Sequence, residues 1–515
     1  MQRIGIDVGG TNTDAVLVDQ DKVVGAVKTP TTRDVTGGVR KALEDLISLV
    51  GPEAKNASSV TIGTTHFLNA VVERRRLNKV AAVRLCLPAS ASLPPFVDWP
   101  EDVAALVNGG RYLVQGGHEY DGREIAPLDE AELSRIGRQI AADGITSVGI
   151  SAVFSPLNTE FEERARQIIE TECPGVRVTC SHSLGRLGLL ERENATLLNA
   201  ALLDLAEEAT DAFQQALEQL GITAPLYIAL NDGTVTNAEM TRKFPVYCFA
   251  SGATNSMRGA AFLSRIENAI VCDVGGTTTD IGSLVNGFPR EANSTVTVGG
   301  VRTLFRMPDL ISIGIGGGTR IHDDPLDVGP DSVGFRLTEE ARVFGGSQLT
   351  LTDIAVSKKL MAAGDASKIA DLDPAYVEKV LAIVHDRIAS NVDRIKTEAA
   401  DVPLIAVGGG APLIPTKIPG ISHVHHVENY SVANAVGAAI AQISGEADQV
   451  FQGLSRDEAL AEALKIAGER AIQSGAAEGT LKTIEMEDLP IAYIPGHAIR
   501  ARVRVIGDIA ALSGS

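Results

Sequence analysis

Short apolar runs alternate with polar turns along most of the chain, and stretches of helical spacing separate them. Val16-Leu17-Val18 and Val23-Val24-Gly25-Ala26-Val27 predict paired strands around Asp19-Gln20-Asp21. Val39, Leu43, Leu46, Ile47 and Val50 fall on one helix face. Val60-Thr61-Ile62 predicts a strand that ends in Gly63-Thr64-Thr65-His66 and leads into a helix over 67–76. Strands over 81–87, 147–154 and 176–179 alternate with helices over 129–142 and 159–173. That alternation is the pattern of an α/β domain.

Residues 187–220 keep helical spacing with no proline and one glycine, Gly188, which predicts one long helix joining two halves. Its Glu191-Arg192-Glu193-Asn194 reads as a solvated, charged face. Residues 251–256 form a turn opening the apolar helix 257–264. The second half adds a strand running into Gly316-Gly317-Gly318, helices over 352–361 and 374–398, and a small-residue helix over 431–443. Residues 498–505 alternate arginine with apolar residues and predict an edge strand with arginine on its polar face.

Two polar turns carry one sequence. Asp7-Val8-Gly9-Gly10-Thr11-Asn12-Thr13-Asp14 and Asp273-Val274-Gly275-Gly276-Thr277-Thr278-Thr279-Asp280 agree at seven of eight positions. Each lies between apolar runs, so each predicts a β-hairpin with a polar tip. Paired glycines bring backbone N–H groups close to a ligand, and the threonines add hydroxyls. The leading aspartate can hold a hydrated Mg²⁺ against a polyphosphate. One copy alone fits a plain turn equally well. Two copies, each leading a half of the chain, predict a duplicated phosphate clamp.

Composition narrows the partners. The formal charge of −19 argues against nucleic acid or an anionic membrane surface. It also makes a bound nucleotide depend on Mg²⁺ and local backbone dipoles. No apolar run reaches the length of a membrane span. The chain opens almost directly on a strand, and its five cysteines are scattered without a CxxC pair. Both features lead us to expect a cytoplasmic protein with reduced thiols.

Other candidates carry alternatives. Gly408-Gly409-Gly410 follows the apolar run Leu404-Ile405-Ala406-Val407 and fits either a turn against a flat ring such as adenine or a turn into a packed helix. With two clamps present, the nucleotide reading is preferred. His66 suits a substrate contact or a helix cap, and His322 a metal ligand or a solvated loop. His423 and His425 share one strand face without the companions a zinc site needs.

The order of clamp, helical connector, clamp, glycine turn and small-residue helix resembles the actin–hexokinase–heat-shock ATPase superfamily. More closely, the chain resembles the A subunit of the hydantoinase/oxoprolinase family, in a short form. The resemblance covers most of residues 1–445. It rests on both clamps, on Gly63-Thr64-Thr65 with Asn69-Ala70 and Glu73-Arg74, on Glu191-Arg192-Glu193 with Leu198-Asn199-Ala200, and on Val328-Gly329-Pro330-Asp331-Ser332.

It implies a two-lobed actin/hexokinase-like α/β ATPase fold. The expected segments are 1–186, 187–445 and a C-terminal 446–515. It also implies ATP-dependent opening of a cyclic amide such as a hydantoin or 5-oxoproline, with a second subunit or a homo-oligomer as partner. In that case Gly9, Gly10, Thr11, Thr13, Gly275, Gly276, Thr277 and Thr278 hold the phosphates. Gly408, Gly409 and Gly410 lie against the base, while Asp7 and Asp273 are catalytic and organise Mg²⁺. Asp14 and Asp280 brace their hairpins. A small-molecule kinase and an ATP-driven reactivase or assembly factor are the alternatives.

Overall fold

A computed structural model describes residues 2–30, 35–184, 187–292, 295–304, 306–492 and 498–510. The first clamp hairpin, Gln2–Val8 with Asn12–Asp19, sits inside a nine-stranded sheet. On one side it continues to Lys22–Pro30. On the other, Gln2–Val8 runs parallel to Ser59–Thr64, followed by Leu226–Ala229 and Val235–Asn237. Strands from residues 443–507 complete this sheet, so the chain returns to it after the second clamp.

The second clamp, Ala269–Val274 with Thr279–Val285, forms a six-stranded sheet with Val402–Val407, Ile421–His426 and two further strands. Each clamp strand therefore has an antiparallel hairpin partner on one side and a parallel strand on the other. A third, all-parallel sheet of Asn108–Gln115, Val80–Leu87, Ser147–Ala152 and Arg177–Cys180 carries its own apolar core.

Two helices pack between the clamp sheets. Ala433–Ile440 lies on the first clamp strand: a Cβ at Gly5 would stand 2.0 Å from the Ala435 carbonyl oxygen. It also crosses Ser251–Ser264, whose residues 251–256 are helical from the outset rather than a turn before the helix.

The predicted connector over 187–220 is two helices, Leu189–Ala201 and Leu203–Gln219. The Ala201 carbonyl accepts the Asn78 backbone N–H at 2.8 Å, and Leu202 N–H bonds back to Asn199 in a tighter turn. A tertiary contact therefore breaks a helix in which the sequence carries no breaker. Its charged stretch is buried, not solvated. Arg192, Glu193 and Asn194 are each at most 3% exposed.

Each of these side chains is matched. Arg84 Nε donates to Glu193 Oε2 at 2.7 Å, and Ser151 donates to the same oxygen. Arg192 donates to the Ala152 and Leu187 carbonyls. Trp99 Nε1 donates to Asn194 Oδ1. Removing one partner leaves a buried charge alone, so Glu193→Ala should cost about 3–5 kcal/mol. Arg84→Met with Glu193→Leu should cost less than Glu193→Ala alone. Melts of both variants check this.

The arginine strand is interior. Ile499–Gly507 lies between Lys482–Pro490 and Ile443–Phe451. Its arginines meet carboxylates from distant segments: Arg504 pairs with Asp232 at 3.0 Å and Glu291 at 3.1 Å, and Arg502 with Glu485 at 3.0 Å. Alternation correctly placed the arginines on one face. It could not show that acids from elsewhere in the chain cover that face.

Candidate functional site

The two clamps have the same local geometry. Asp7 faces Asp14 across the first hairpin, and Asp273 faces Asp280 across the second. In each tip the first glycine N–H bonds to the carbonyl three residues on: Gly9 to Asn12 at 3.0 Å and Gly275 to Thr278 at 2.9 Å. The tips meet, since a Cβ at Gly276 would lie 2.2 Å from Thr11 Oγ1. Gly10 is exposed with open space around it. Thr278 is exposed as well, and Thr11 and Thr277 are half-buried. Thr13 is fully buried in the strand.

At each parallel neighbour strand a glycine lies beside the clamp aspartate. Gly63 sits within Ser59–Thr64 directly opposite Asp7, and a Cβ there would sit 2.8 Å from Asp7 Oδ1. Gly408 follows the strand paired with Asp273, and a Cβ there would sit 2.1 Å from Asp273 Oδ1. Gly408 also adopts φ 84°, a conformation that favours glycine. Gly410 N–H bonds to the Val274 carbonyl at 2.8 Å, whereas Gly409 has open space around it. The run Gly316-Gly317-Gly318 is spent on the second clamp: Gly317 and Gly318 N–H groups bond to the Gly275 and Gly276 carbonyls.

The acids crowd one another. Asp7 is 4% exposed, and burial together with Asp14 and Asp273 pushes its carboxyl up to about 8. Burial also raises Asp273, against the opposing influence of Ser256 and Lys28. Asp280 is pushed up to about 6 by burial, with Ser312 opposing. Asp14 is raised by burial despite Lys28, whose Nζ lies 2.6 and 2.7 Å from its two oxygens. Lys28 and Ser312 thus meet Asp14 and Asp280 within their own sheets, and Asn434, from the helix Ala433–Ile440, also favours the Asp14 carboxylate.

Lys28 was not legible in the sequence. The Asp19-Gln20-Asp21 turn alone would place Val27 opposite Asp14. A register shift between Leu17 and Val18 puts Lys28 there instead. Asn434, which donates to Asp7 Oδ2 at 2.7 Å, was equally silent, because nothing local marks one polar residue in a small-residue helix.

A family model described as hydantoinase/oxoprolinase N-terminal region matches residues 3–173, and one described as hydantoinase/oxoprolinase matches residues 192–360. The chain belongs to the hydantoinase/oxoprolinase family. It is similar to the caprolactamase subunit alpha of Pseudomonas jessenii, 26% identical over 471 residues, covering 79% of this chain and 65% of that one. It is 26% identical over 431 residues to an uncharacterized protein of Methanocaldococcus jannaschii, covering 76% of this chain and 62% of that one. The chain thus spans less than two thirds of the length of either relative.

The crystal structure of the Pseudomonas jessenii ATP-dependent caprolactamase superposes with a TM-score of 0.78 at 20% identity, covering 99% of this chain and 88% of that one. A nucleotide-free acetone carboxylase structure gives 0.71 at 19%, covering 99% and 89%. The chain shares the fold of these two structures, a mixed α/β architecture in which this chain carries the clamp hairpin twice.

The remaining histidines of this hydantoinase/oxoprolinase chain have other company. His66 Nε2 lies 3.3 Å from Arg76. His322 pairs with Asp331 at 2.6 Å on an exposed hairpin. The His423 and His425 rings stack edge-on at 4.5 Å on a sheet-edge strand. Among the described residues no group of three or more His, Cys, Asp or Glu is arranged to hold a metal. Cys272, beside the second clamp, is buried, and burial pushes its thiol well above the ordinary range. Among the described residues no helix is long and apolar enough to cross a membrane.

Proposed function

We propose that this chain is the nucleotide-binding subunit of an ATP-dependent hydrolase that opens a cyclic amide through phosphoryl activation. The observation that carries the reading is the pair of identical clamps, tip to tip, each with a buried or half-buried aspartate at its base. The similarity to an ATP-dependent caprolactamase supplies the substrate class. That relative's designation as subunit alpha supports a second subunit as partner.

The site suits Mg²⁺. Asp7 Oδ1 is buried without a hydrogen-bond partner, and the neighbouring carboxylates leave the cleft short of positive charge. Mg²⁺ keeps several waters and takes only one or two carboxylates besides phosphate oxygens. Asp7 and Asp273 would hold it, and when bound it would neutralise charge on the polyphosphate.

An unstrained lactam is a poor electrophile with a poor leaving group. Transfer of the γ-phosphoryl of ATP to the amide oxygen releases ADP and activates the carbonyl carbon. Water then adds at that carbon, the ring C–N bond breaks, and the nitrogen takes a proton. A second water releases the phosphate. The chain's contribution is positioning and charge. Gly9 and Gly275 close the tip turns through their own N–H groups, which leaves the backbone N–H groups and threonine hydroxyls of Gly10, Thr11, Gly276, Thr277 and Thr278 to hold the phosphates, and Gly409 offers open space for the base. Such preorganisation is the main resource of phosphoryl-transfer catalysts.

The test is MgATP hydrolysis by the purified chain across a panel of caprolactam, other lactams, hydantoins and 5-oxoproline. Stimulation by one cyclic amide, with ring-opened product equal to the ADP formed, is expected. A rate that responds only to acetone with bicarbonate, or a stable phosphorylated product, would overturn the hydrolase reading.

A further inference from the structure

Asp7 has two unequal oxygens. Asn434 Nδ2 donates to Oδ2 at 2.7 Å, and the same amide's Oδ1 accepts the Ala435 backbone N–H at 3.0 Å. A backbone N–H can only donate, so the orientation of the Asn434 amide is settled from both ends. Asp7 Oδ1 is buried with no partner. Beside it lies Asn255, fully buried, whose Nδ2 and Oδ1 are likewise without partners. Gly63 lies between them: a Cβ there would stand 2.8 Å from Asp7 Oδ1 and 2.3 Å from Asn255 Nδ2. Buried polar atoms left unpaired are costly and mark places where a polar ligand belongs.

Asn434 is also tied to the second clamp. Gly408 packs on Asp273, and its N–H bonds to the Tyr430 carbonyl at 2.9 Å. Tyr430–Val432 then leads directly into the helix that bears Asn434. One short segment thus bonds at one end to the glycine beside the second clamp's aspartate and at the other to the aspartate of the first.

We propose that Asn434 is a positioning residue for Asp7: by holding Oδ2 it presents Oδ1, together with the Asn255 amide, to the hydrated metal of a bound Mg²⁺–nucleotide. This rests on the nucleotide part of the proposed function and not on the amide substrate. Asp7 is faced by Asp14 from its hairpin partner, Asp273 from the second clamp and Lys28 from the next strand.

The experiment measures ADP affinity of the full chain by calorimetry at about pH 7.5, with Mg²⁺ and with EDTA. Asn434→Leu should lower the ratio of the two affinities about tenfold, since a hydrogen bond to a charged group is worth roughly one decade. Asn434→Gln, which keeps a donor, should recover part of the loss. Asn255→Ala should lower the ratio without changing affinity in EDTA.

A wild-type ratio in Asn434→Leu would overturn the inference. So would an equal loss of affinity with and without Mg²⁺, which assigns a purely structural role. If the wild type binds no ADP, the nucleotide reading fails and takes the inference with it. Failure of the amide panel alone leaves the inference standing.

Discussion

Asp7→Asn should give a protein that no longer hydrolyses MgATP yet melts above the wild type. The loss of turnover should be on the order of 10²–10³-fold, the scale of removing one preorganised charge-stabilising group. The gain in stability follows from linkage. Burial, Asp14 and Asp273 raise the Asp7 carboxyl from 3.8 to about 8 in the folded protein. An acid whose folded value is raised contributes stability that is complete below its unfolded value and is lost as pH rises through the folded one. Wild-type stability should therefore fall between about pH 4 and pH 8. At pH 7.5 the group is ionised in the unfolded chain and still mostly protonated in the folded one, which costs on the order of a few kcal/mol.

The amide substitution removes that slope and keeps an oxygen for Asn434. Its apparent melting temperature should exceed the wild type's by about 2–5 °C at pH 7.5, and the gap should close near pH 4. Thermal melts across pH, paired with ADP release assays, check both halves. A variant that melts lower at every pH would show that Asp7 is a structural acid and not a strained functional one.

Gly437→Val should be the most damaging substitution of a small residue away from the clamps. The helices Ser251–Ser264 and Ala433–Ile440 cross with backbones in contact. A Cβ at Gly437 would stand 1.8 Å from the Asn255 carbonyl oxygen, and one at Gly259 1.8 Å from that of Ala433. No rotamer relieves an overlap with backbone, so the helices must separate. Overpacking of this kind costs about 3 kcal/mol or more.

Separation also reaches the site. Asn255 and Ser256 ride on one helix and Asn434 on the other, and these residues attend Asp7 and Asp273. Gly437→Ala should therefore retain the fold better than Gly437→Val yet lose most Mg²⁺-dependent ADP affinity. Calorimetry and melts on the two variants separate these effects. Wild-type behaviour of both would mean that the crossing is not constrained.

The clamps were legible because they are local. A strand, two glycines and a strand form within one hairpin, and the repeat of seven identities in eight positions is visible without any tertiary knowledge. The parallel strands Ser59–Thr64 and Val402–Val407 were legible for the same reason: short apolar runs lead to Gly63-Thr64-Thr65 and Gly408-Gly409-Gly410.

What failed were readings that depend on what lies outside a segment. Glu191-Arg192-Glu193-Asn194 looks solvated until Arg84, Ser151 and Trp99 arrive from other elements to pair with it. The helix break at Leu202 comes from Asn78, more than a hundred residues upstream. The arginine strand looks like an edge until a second strand covers each side.

The sequence by itself therefore determined the duplicated hairpins, the α/β alternation and the family, since each rests on contacts among near neighbours. Only the tertiary structure decided that the tips touch, that Lys28 and not Val27 meets Asp14, and that Asn434 holds Asp7. Those outcomes turn on a one-residue register shift and on a helix crossing set by missing side chains. The shift lies inside the hairpin of Asn12–Asp19 with Lys22–Pro30, and the crossing joins Ser251–Ser264 to Ala433–Ile440; neither leaves a mark in the alternation of apolar and polar residues.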